Sequence, residues 1–262
     1  MISRRLAALT GALLITACQQ GSHGAATALD LSSPKMHAMP SGTVAPAGEL
    51  SPYLRARVDI VGLQPDSRHP VWVGPPGCTL DGKVLTSTEA ADATGRASFS
   101  LVPPGGPAQG GSHGVVVSVG PGTTEPAEAA PLACADVSGG AAALRPAPAF
   151  SRARVAVDMR YDRATRVLTV HVRASGLEPG TRHPNHIHTG QCELEGPVRE
   201  TLHTLVADAQ GNADVTTPIP QSDGIMVGAW YVAVHNGPHL ESQAQYALLA
   251  CGDVATVSSA IS

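Results

Sequence analysis

The sequence predicts an all-β protein, and three observations support this prediction. Glycine and proline are abundant, at 28 and 22 of 262 residues, whereas only 15% of residues are charged. This is too rich in turn-forming residues for a helical bundle, while a hydrophobic content of 43% is too high for a disordered chain. Short runs with period-two alternation recur between turn signals, at residues 167–172, 185–188 and 230–235. Because no stretch of a dozen residues keeps a helical period, these runs favour antiparallel β-sandwiches of roughly 100 residues each.

The net charge excludes one class of partner. The formal charge is −4, and the lysines are limited to Lys35 and Lys83. Such a chain offers no basic surface to a phosphate backbone, so nucleic acid is not expected to bind.

Residues 1–18 are typical of an export signal. Arg4 and Arg5 precede an apolar run over residues 6–15 that is too short to span a bilayer as a helix. The tetrapeptide Ile15-Thr16-Ala17-Cys18 resembles the lipobox of bacterial lipoproteins, which implies acylation of Cys18 and a tether to the membrane. An ordinary signal peptide with an incidental cysteine is the alternative.

The rest of the chain contains a duplication. Gly62-Leu63-Gln64-Pro65 aligns with Gly176-Leu177-Glu178-Pro179, and similar matches continue to Leu132-Ala133-Cys134 and Leu249-Ala250-Cys251. We define the first repeat as residues 51–137 and the second repeat as residues 151–257. Residues 19–50 are expected to form a flexible stalk, and residues 138–150 a linker.

Four cysteines remain besides Cys18, and each repeat holds two of them. They are Cys78 and Cys134 in the first repeat and Cys192 and Cys251 in the second. An even number of cysteines in an exported chain favours disulfides, and four cysteines allow three pairings. The simplest pairing that agrees with the duplication is one bridge within each repeat.

The second repeat concentrates candidate metal ligands. His186 and His188 are two residues apart, so on a strand both side chains point to one face. His235 ends the most hydrophobic strand and is a third candidate, and His203 is a candidate fourth. The first repeat carries Trp72, Gly74 and Val119 in place of His186, His188 and His235, and has Ser87 near the position of His203. The joint loss of all these ligands is expected if they serve a single ion; three unrelated histidines are the alternative.

The other histidines receive different interpretations. His69 and His183 occur in Arg-His-Pro in both repeats and are expected to be turn residues with a structural hydrogen bond. His171 and His239 are expected to face solvent, as are His23 and His37, although Met36 and Met39 beside His37 allow a weak metal-catching role.

Three or four imidazoles without a thiolate suit copper or zinc, and the affinity order of divalent ions favours copper.

With these residues, the second repeat resembles the copper/zinc superoxide dismutase superfamily. The matching segments, in order, are Gly176-Leu177-Glu178-Pro179-Gly180, His186-Ile187-His188, Cys192, the stretch 207–213, Val234-His235 and Leu249-Ala250-Cys251-Gly252. The resemblance implies a Greek-key β-sandwich in each of two tandem repeats. It also implies one copper on His186, His188 and His235, and a bridge between Cys192 and Cys251. Parts of the stretch are also similar to chordin-type domains.

The second repeat departs from this family in two ways. The segment between His188 and His235 lacks the family's zinc loop, so zinc is not expected. Leu248 stands where the family has an arginine that guides superoxide.

The first hypothesis is therefore a lipid-anchored protein of the bacterial cell envelope, facing the periplasm or the exterior, that buffers, senses or delivers copper. A copper-only superoxide dismutase and a metal-free interaction module are the alternatives.

Overall fold

The computed structural model describes residues 28–46, 55–101 and 112–261. The strands of the first half are β1 (Ala28–Ser32), β2 (Ser41–Pro46), β3 (Ala56–Val61), β4 (Arg68–Gly74), β5 (Val84–Ala90), β6 (Ala97–Leu101), β7 (His113–Ser118), β8 (Pro131–Val137) and β9 (Ala142–Pro146). Those of the second half are β10 (Arg154–Asp162), β11 (Val167–Ser175), β12 (Arg182–His183), β13 (Asn185–Thr189), β14 (Val198–Thr201), β15 (Leu205–Val206), β16 (Ala213–Ile219), β17 (Trp230–His235), β18 (Leu248–Asp253) and β19 (Ser258–Ile261). The helices in these residues are single turns: α1 (Pro126–Ala129), α2 (Pro148–Ser151) and α3 (Gln243–Tyr246). The all-β prediction is confirmed.

Two antiparallel sheets make up most of the second half. One has the strand order β16-β11-β10-β1-β19 and the other the order β14-β13-β17-β18. Alternate side chains of the two sheets, such as Val170 on β11 and Val232 on β17, are buried in the same hydrophobic core. The alternating runs at residues 167–172, 185–188 and 230–235 correspond to β11, β13 and β17, as predicted.

The first half forms a single eight-stranded antiparallel sheet. Its order is β5-β4-β7-β8-β9-β2-β3-β6, and the end strands β5 and β6 are in contact, which nearly closes the sheet. The pairing of β4 with β7 and of β7 with β8 repeats that of β13 with β17 and of β17 with β18. Buried side chains from both halves, including Leu132 and Leu249, belong to one continuous hydrophobic cluster. The division into two independent domains stays a prediction.

The expected flexible stalk and linker are wrong for part of their length. Residues 28–32 form β1, which lies between β10 and β19 of the second half, and residues 41–46 form β2 between β3 and β9. Within β1, Leu29 is buried, and the carboxylate of Asp30 accepts two hydrogen bonds from Arg163, at 2.7 and 3.0 Å. In the expected linker, Phe150 is buried in the core. The composition of these segments is mostly small and polar, and it does not indicate the few buried side chains that are sufficient to order them.

Each cysteine pairs within its own repeat. Cys78 and Cys134 lie at disulfide distance with 5.5 Å between their Cα atoms, as do Cys192 and Cys251 with 5.8 Å. The predicted pairing is confirmed, and two disulfides indicate an oxidising compartment outside the cytoplasm. Within the residues described, no helix has the length and apolarity needed to cross a membrane.

Candidate metal centre

Strands β13 and β17 bring three predicted ligands to one face of a sheet. His186 pairs with Ala233 and His188 with Tyr231, so these four side chains share a face, and His235 joins them two residues beyond Ala233. The opposite face carries Ile187, which packs into the main core. The period-two pattern of both strands therefore directs the imidazoles away from the main core.

The three imidazoles converge in a buried cluster. Ring centroids are 5.3 Å apart for His186 and His235, 5.5 Å for His186 and His188, and 6.1 Å for His188 and His235. One ligand atom from each residue lies within 4.8 Å of the other two, and the residues are only 8%, 3% and 1% exposed, in the order His186, His188, His235. The three residues can therefore hold a metal ion.

Backbone carbonyls set the orientation of two of the rings. The Nδ1 of His188 lies 2.9 Å from the carbonyl oxygen of Gly196, and the Nδ1 of His235 lies 2.7 Å from that of Tyr246. A carbonyl oxygen can only accept, so Nδ1 carries the proton in both rings and Nε2 has a free lone pair. A carbonyl partner that fixes the tautomer of a metal-binding histidine is a common feature of metal sites.

The free nitrogens are left without partners. Nδ1 of His186, Nε2 of His188 and Nε2 of His235 are buried and make no hydrogen bond within the described part of the chain. Buried polar atoms almost always have a partner, so three such atoms in one cluster need an explanation. A metal ion coordinated by these nitrogens would satisfy all three. The three unpartnered nitrogens therefore show that the residues fit a metal ion.

Burial also keeps the imidazoles uncharged. Desolvation, together with repulsion from the neighbouring histidines, lowers the pKa of His186 and that of His235 to about 4, although the hydrogen bond to Tyr246 acts in the opposite direction at His235. Desolvation also lowers the pKa of His188. Neutral imidazole is the form that binds a metal, so the site is in its binding form at neutral pH.

Two tyrosines pack against the imidazoles, and a glutamate is hydrogen-bonded to one of these tyrosines; none of the three is a predicted site residue. Tyr231 stacks on His188 at 4.8 Å between ring centroids, and the ring of Tyr246 lies 4.9 Å from that of His235. The Tyr246 hydroxyl donates to Glu195 at 2.7 Å, and burial raises the pKa of Glu195 to about 7. Tyr231 could have been found from its position on the same strand face as His235, whereas Glu195 lies in a loop and Tyr246 in the single-turn helix α3, neither of which has a periodic signal.

Gly196 is a position where glycine is required. A Cβ atom there would clash with the carbonyl oxygen of Thr189, so only glycine allows the loop after β13 to lie this close to the strand. The close approach places the Gly196 carbonyl against His188.

The chain matches no protein-family model and no curated protein. The interpretation of the site therefore rests on the geometry of the imidazoles, and the resemblance to copper/zinc superoxide dismutases stays a prediction.

The structure does not bring His203 into the cluster. Leu202 points inward and is 3% exposed, so the next side chain, His203, is exposed, and only its backbone is engaged, with Thr217 and Asn185. Alternation along an extended segment explains why the candidate fourth ligand faces solvent.

The equivalent position in the first repeat contains a different hydrogen-bonded group. The strand pairing places Ser118, rather than the expected Val119, at the position of His235, because Val71 pairs with Val117 as Asn185 pairs with Val234. The indole of Trp72 donates to the Ser118 hydroxyl at 2.9 Å, and that hydroxyl donates to the Ala129 carbonyl oxygen at 3.0 Å. Ser118 thus keeps the carbonyl contact that His235 makes with Tyr246, but it offers no imidazole.

Within residues 28–46, 55–101 and 112–261, the remaining histidines do not belong to the cluster. Both Arg-His-Pro segments begin strands, β4 and β12, so the expected turn position is wrong. The expected structural hydrogen bonds are present: His69 contacts Ser67 and the Ser118 carbonyl, and His183 contacts Thr181 and the His235 carbonyl. His37 and His239 are exposed, whereas His171 is half-buried and contacts Asp214. Met39, a candidate partner of His37, is instead fully buried against the Cys192–Cys251 bridge. His23 and Cys18 lie outside the described residues.

Proposed function

We propose that the protein is an exported, superoxide dismutase-like lipoprotein that binds one copper ion and buffers, senses or delivers it. The observation that supports this proposal most is the set of three buried nitrogens without partners on His186, His188 and His235. An uncharged, desolvated set of imidazoles is costly to bury unless something binds it.

The donor set favours copper. Imidazole suits copper, zinc, iron and nickel, and affinity for divalent ions peaks at copper. Cys192 and Cys251 are bonded to each other, so neither offers a thiolate to the ion. His186 would bind through Nδ1, and His188 and His235 through Nε2. Bound copper would supply one-electron redox chemistry.

A stoichiometry of one copper per chain follows from the first repeat. Trp72, Gly74 and Ser118 replace the three imidazoles, and two of these side chains are hydrogen-bonded to each other. A copper ion would find no equivalent ligand set there.

Leu248 favours binding over fast catalysis. Its side chain is 2% exposed, at the position where the resemblance would place a guiding arginine. Rapid capture of superoxide depends on local positive potential, which can raise association rates by roughly 10- to 1,000-fold. A copper-only dismutase therefore remains the second hypothesis, behind copper handling.

The export signal and the two disulfides support a location in the bacterial cell envelope. Acylation at Cys18 would anchor the chain to the membrane, with the folded part facing the periplasm or the exterior.

The proposal is tested by titrating the metal-free protein separately with copper and zinc and measuring stoichiometry and affinity. One copper per chain is expected, with zinc bound more weakly. Loss of a ligand in His186→Ala or His235→Ala should reduce copper affinity by more than the roughly 10- to 100-fold typical of changes outside the ligand set. The exposed histidines provide matched controls, and His203→Ala and His239→Ala should bind copper like the wild type. Absence of copper binding, or equal losses in all four variants, would contradict the proposal.

A further inference from the structure

Two carbonyl groups orient the ligand rings, and both lie on loops that contact the first repeat. Gly196, which accepts from His188, belongs to the loop between β13 and β14. Tyr246, which accepts from His235, is the last residue of α3. A single helical turn cannot hold its own position, so the placement of these carbonyls depends on what the loops pack against.

Gln243 attaches α3 to the first repeat. Its Nε2 donates to the carbonyl oxygen of Val119 at 2.6 Å and to that of Arg68 at 2.9 Å, and its Oε1 accepts from the Arg68 N–H at 3.4 Å. Both amide hydrogens and the amide oxygen of one side chain are thus engaged with backbone groups of the first repeat. Tyr246 follows three residues later, so this contact fixes the turn that carries its carbonyl.

The loop that carries Gly196 is attached in the same way. The Glu195 N–H donates to the Thr94 carbonyl oxygen at 3.3 Å, and Arg96 donates from Nε to the Glu193 carbonyl oxygen at 3.2 Å. Arg96 also lies 3.5 Å from the Glu193 carboxylate. The first repeat therefore holds the residues immediately before Gly196 through backbone and side-chain contacts.

The two loops are also tied to each other. The Tyr246 hydroxyl donates to the Glu195 carboxyl at 2.7 Å. The carbonyl partners of His188 and His235 thus belong to one hydrogen-bonded unit whose outer attachments, through Gln243 and Arg96, are on the first repeat.

From this arrangement we propose that the first repeat is a positioning module for the metal centre of the second repeat. Gln243 and Arg96 are positioning residues: they hold the Tyr246 and Gly196 carbonyls where these fix the Nδ1–H tautomers and ring orientations of His235 and His188. The proposal rests on the proposed function, since the ligand role of the histidines is assumed. It assigns a role to a repeat that has lost its own imidazoles but keeps the fold.

The test uses the full chain with Gln243→Glu and Arg96→Ala. Gln243→Glu keeps the size of the side chain but replaces two donated hydrogens with a carboxylate facing two carbonyl oxygens. Matched controls are Gln210→Glu, which makes the same change at an exposed glutamine, and Arg173→Ala, which removes an exposed arginine that pairs with Asp158 on β10 rather than with these loops. Because outer contacts of metal ligands typically contribute 10- to 100-fold in affinity, each test variant should bind copper about 10-fold more weakly than its control.

Two further readouts separate positioning from general stability. Histidine ¹⁵N spectra of the metal-free protein should show the Nδ1–H tautomer for His188 and His235 in the wild type and the controls, and mixed tautomers in the variants. The copper(II) hyperfine splitting in electron paramagnetic resonance should shift only in the variants. If the wild type binds copper and either folded variant matches its control in affinity, tautomers and splitting, the positioning role is refuted and copper binding stands. If the wild type binds no copper, the proposed function fails instead. Should one variant not fold, the other decides the question.

Discussion

Acidification should destabilise the metal-free protein through the histidines of the site. His186 and His235 are buried in neutral form, and each has a pKa of about 4 against 6.5 for an unperturbed histidine. Between these values the unfolded chain binds more protons than the folded protein. The stability due to neutral burial is therefore fully present above about pH 6.5 and is lost as the pH falls towards 4.

The size of the effect follows from the pKa difference. One pKa unit corresponds to about 1.4 kcal/mol, so the complete loss is about 3 kcal/mol for each histidine. About 2 kcal/mol of this falls between pH 7 and pH 5.

Glu195 acts in the opposite direction. Burial raises its pKa from 4.5 to about 7, so the folded protein binds the extra proton in this range, and acidification from pH 7 to pH 5 stabilises it by about 2 kcal/mol. The wild type should therefore show a net loss of about 2 kcal/mol from His186, His235 and Glu195 together. Relative to the wild type, the loss should be about 2 kcal/mol larger in Glu195→Gln and about 2 kcal/mol smaller in His186→Gln. Burial also lowers the pKa of His188, His69 and His183, and these residues add to the loss in all three proteins alike.

Urea denaturation of chelator-treated protein at pH 7, 6 and 5 measures these differences. Fluorescence of the two tryptophans, Trp72 and Trp230, reports unfolding, and Trp230 lies on the same strand as His235, where it is 6% exposed. His239→Gln changes an exposed histidine and should leave the wild-type pH dependence unchanged. The reasoning is refuted if His186→Gln and His239→Gln show the same loss of unfolding free energy.

Three other predictions concern the anchor, the bridges and catalysis. Cys18→Ser should release the protein from membranes in cell fractionation, and unchanged retention would exclude a lipid at this residue. Under mild reductant, the half-buried Cys78–Cys134 bridge should open before the fully buried Cys192–Cys251 bridge, because the attacking thiolate must reach a sulfur atom. Mass spectrometry of trapped thiols measures the order, and the reverse order would contradict this prediction. Copper-loaded protein should be a poor superoxide dismutase whose rate depends weakly on ionic strength, since Leu248 supplies no charge; near-diffusion-limited turnover that slows steeply with salt would instead support the enzyme hypothesis.

The shared strand face of the histidines in the second repeat could be predicted because strands have a period of two. That period alone places His186 and His188 on one face, and the loss of imidazoles from the first repeat indicated that His235 serves with them. The cysteine pairing could also be predicted, since a duplicated unit brings equivalent residues together twice. For both inferences, the residues that carry the information lie within one strand or one repeat.

Other features depend on contacts between distant segments. Strand β1 lies in the sheet of the second half, about 130 residues away from its partner β10, and only tertiary pairing decides that a short polar segment is ordered there. The strand pairing makes Ser118, rather than Val119, the equivalent of His235 in the first repeat, and this one-residue difference depends on pairing between strands that the sequence does not show.

The chemical state of the site also depends on contacts between distant segments. The sequence by itself determined the all-β class and the duplication. It also identified the three histidines that form the cluster, among four candidate ligands. Only the tertiary structure decided that His203 points to solvent, that Nε2 is the free nitrogen of His188 and His235, and that loops held by the first repeat supply the carbonyls. The reason is physical: side-chain direction follows from local backbone geometry, whereas hydrogen-bond partners come from chain segments whose meeting is set by the fold as a whole.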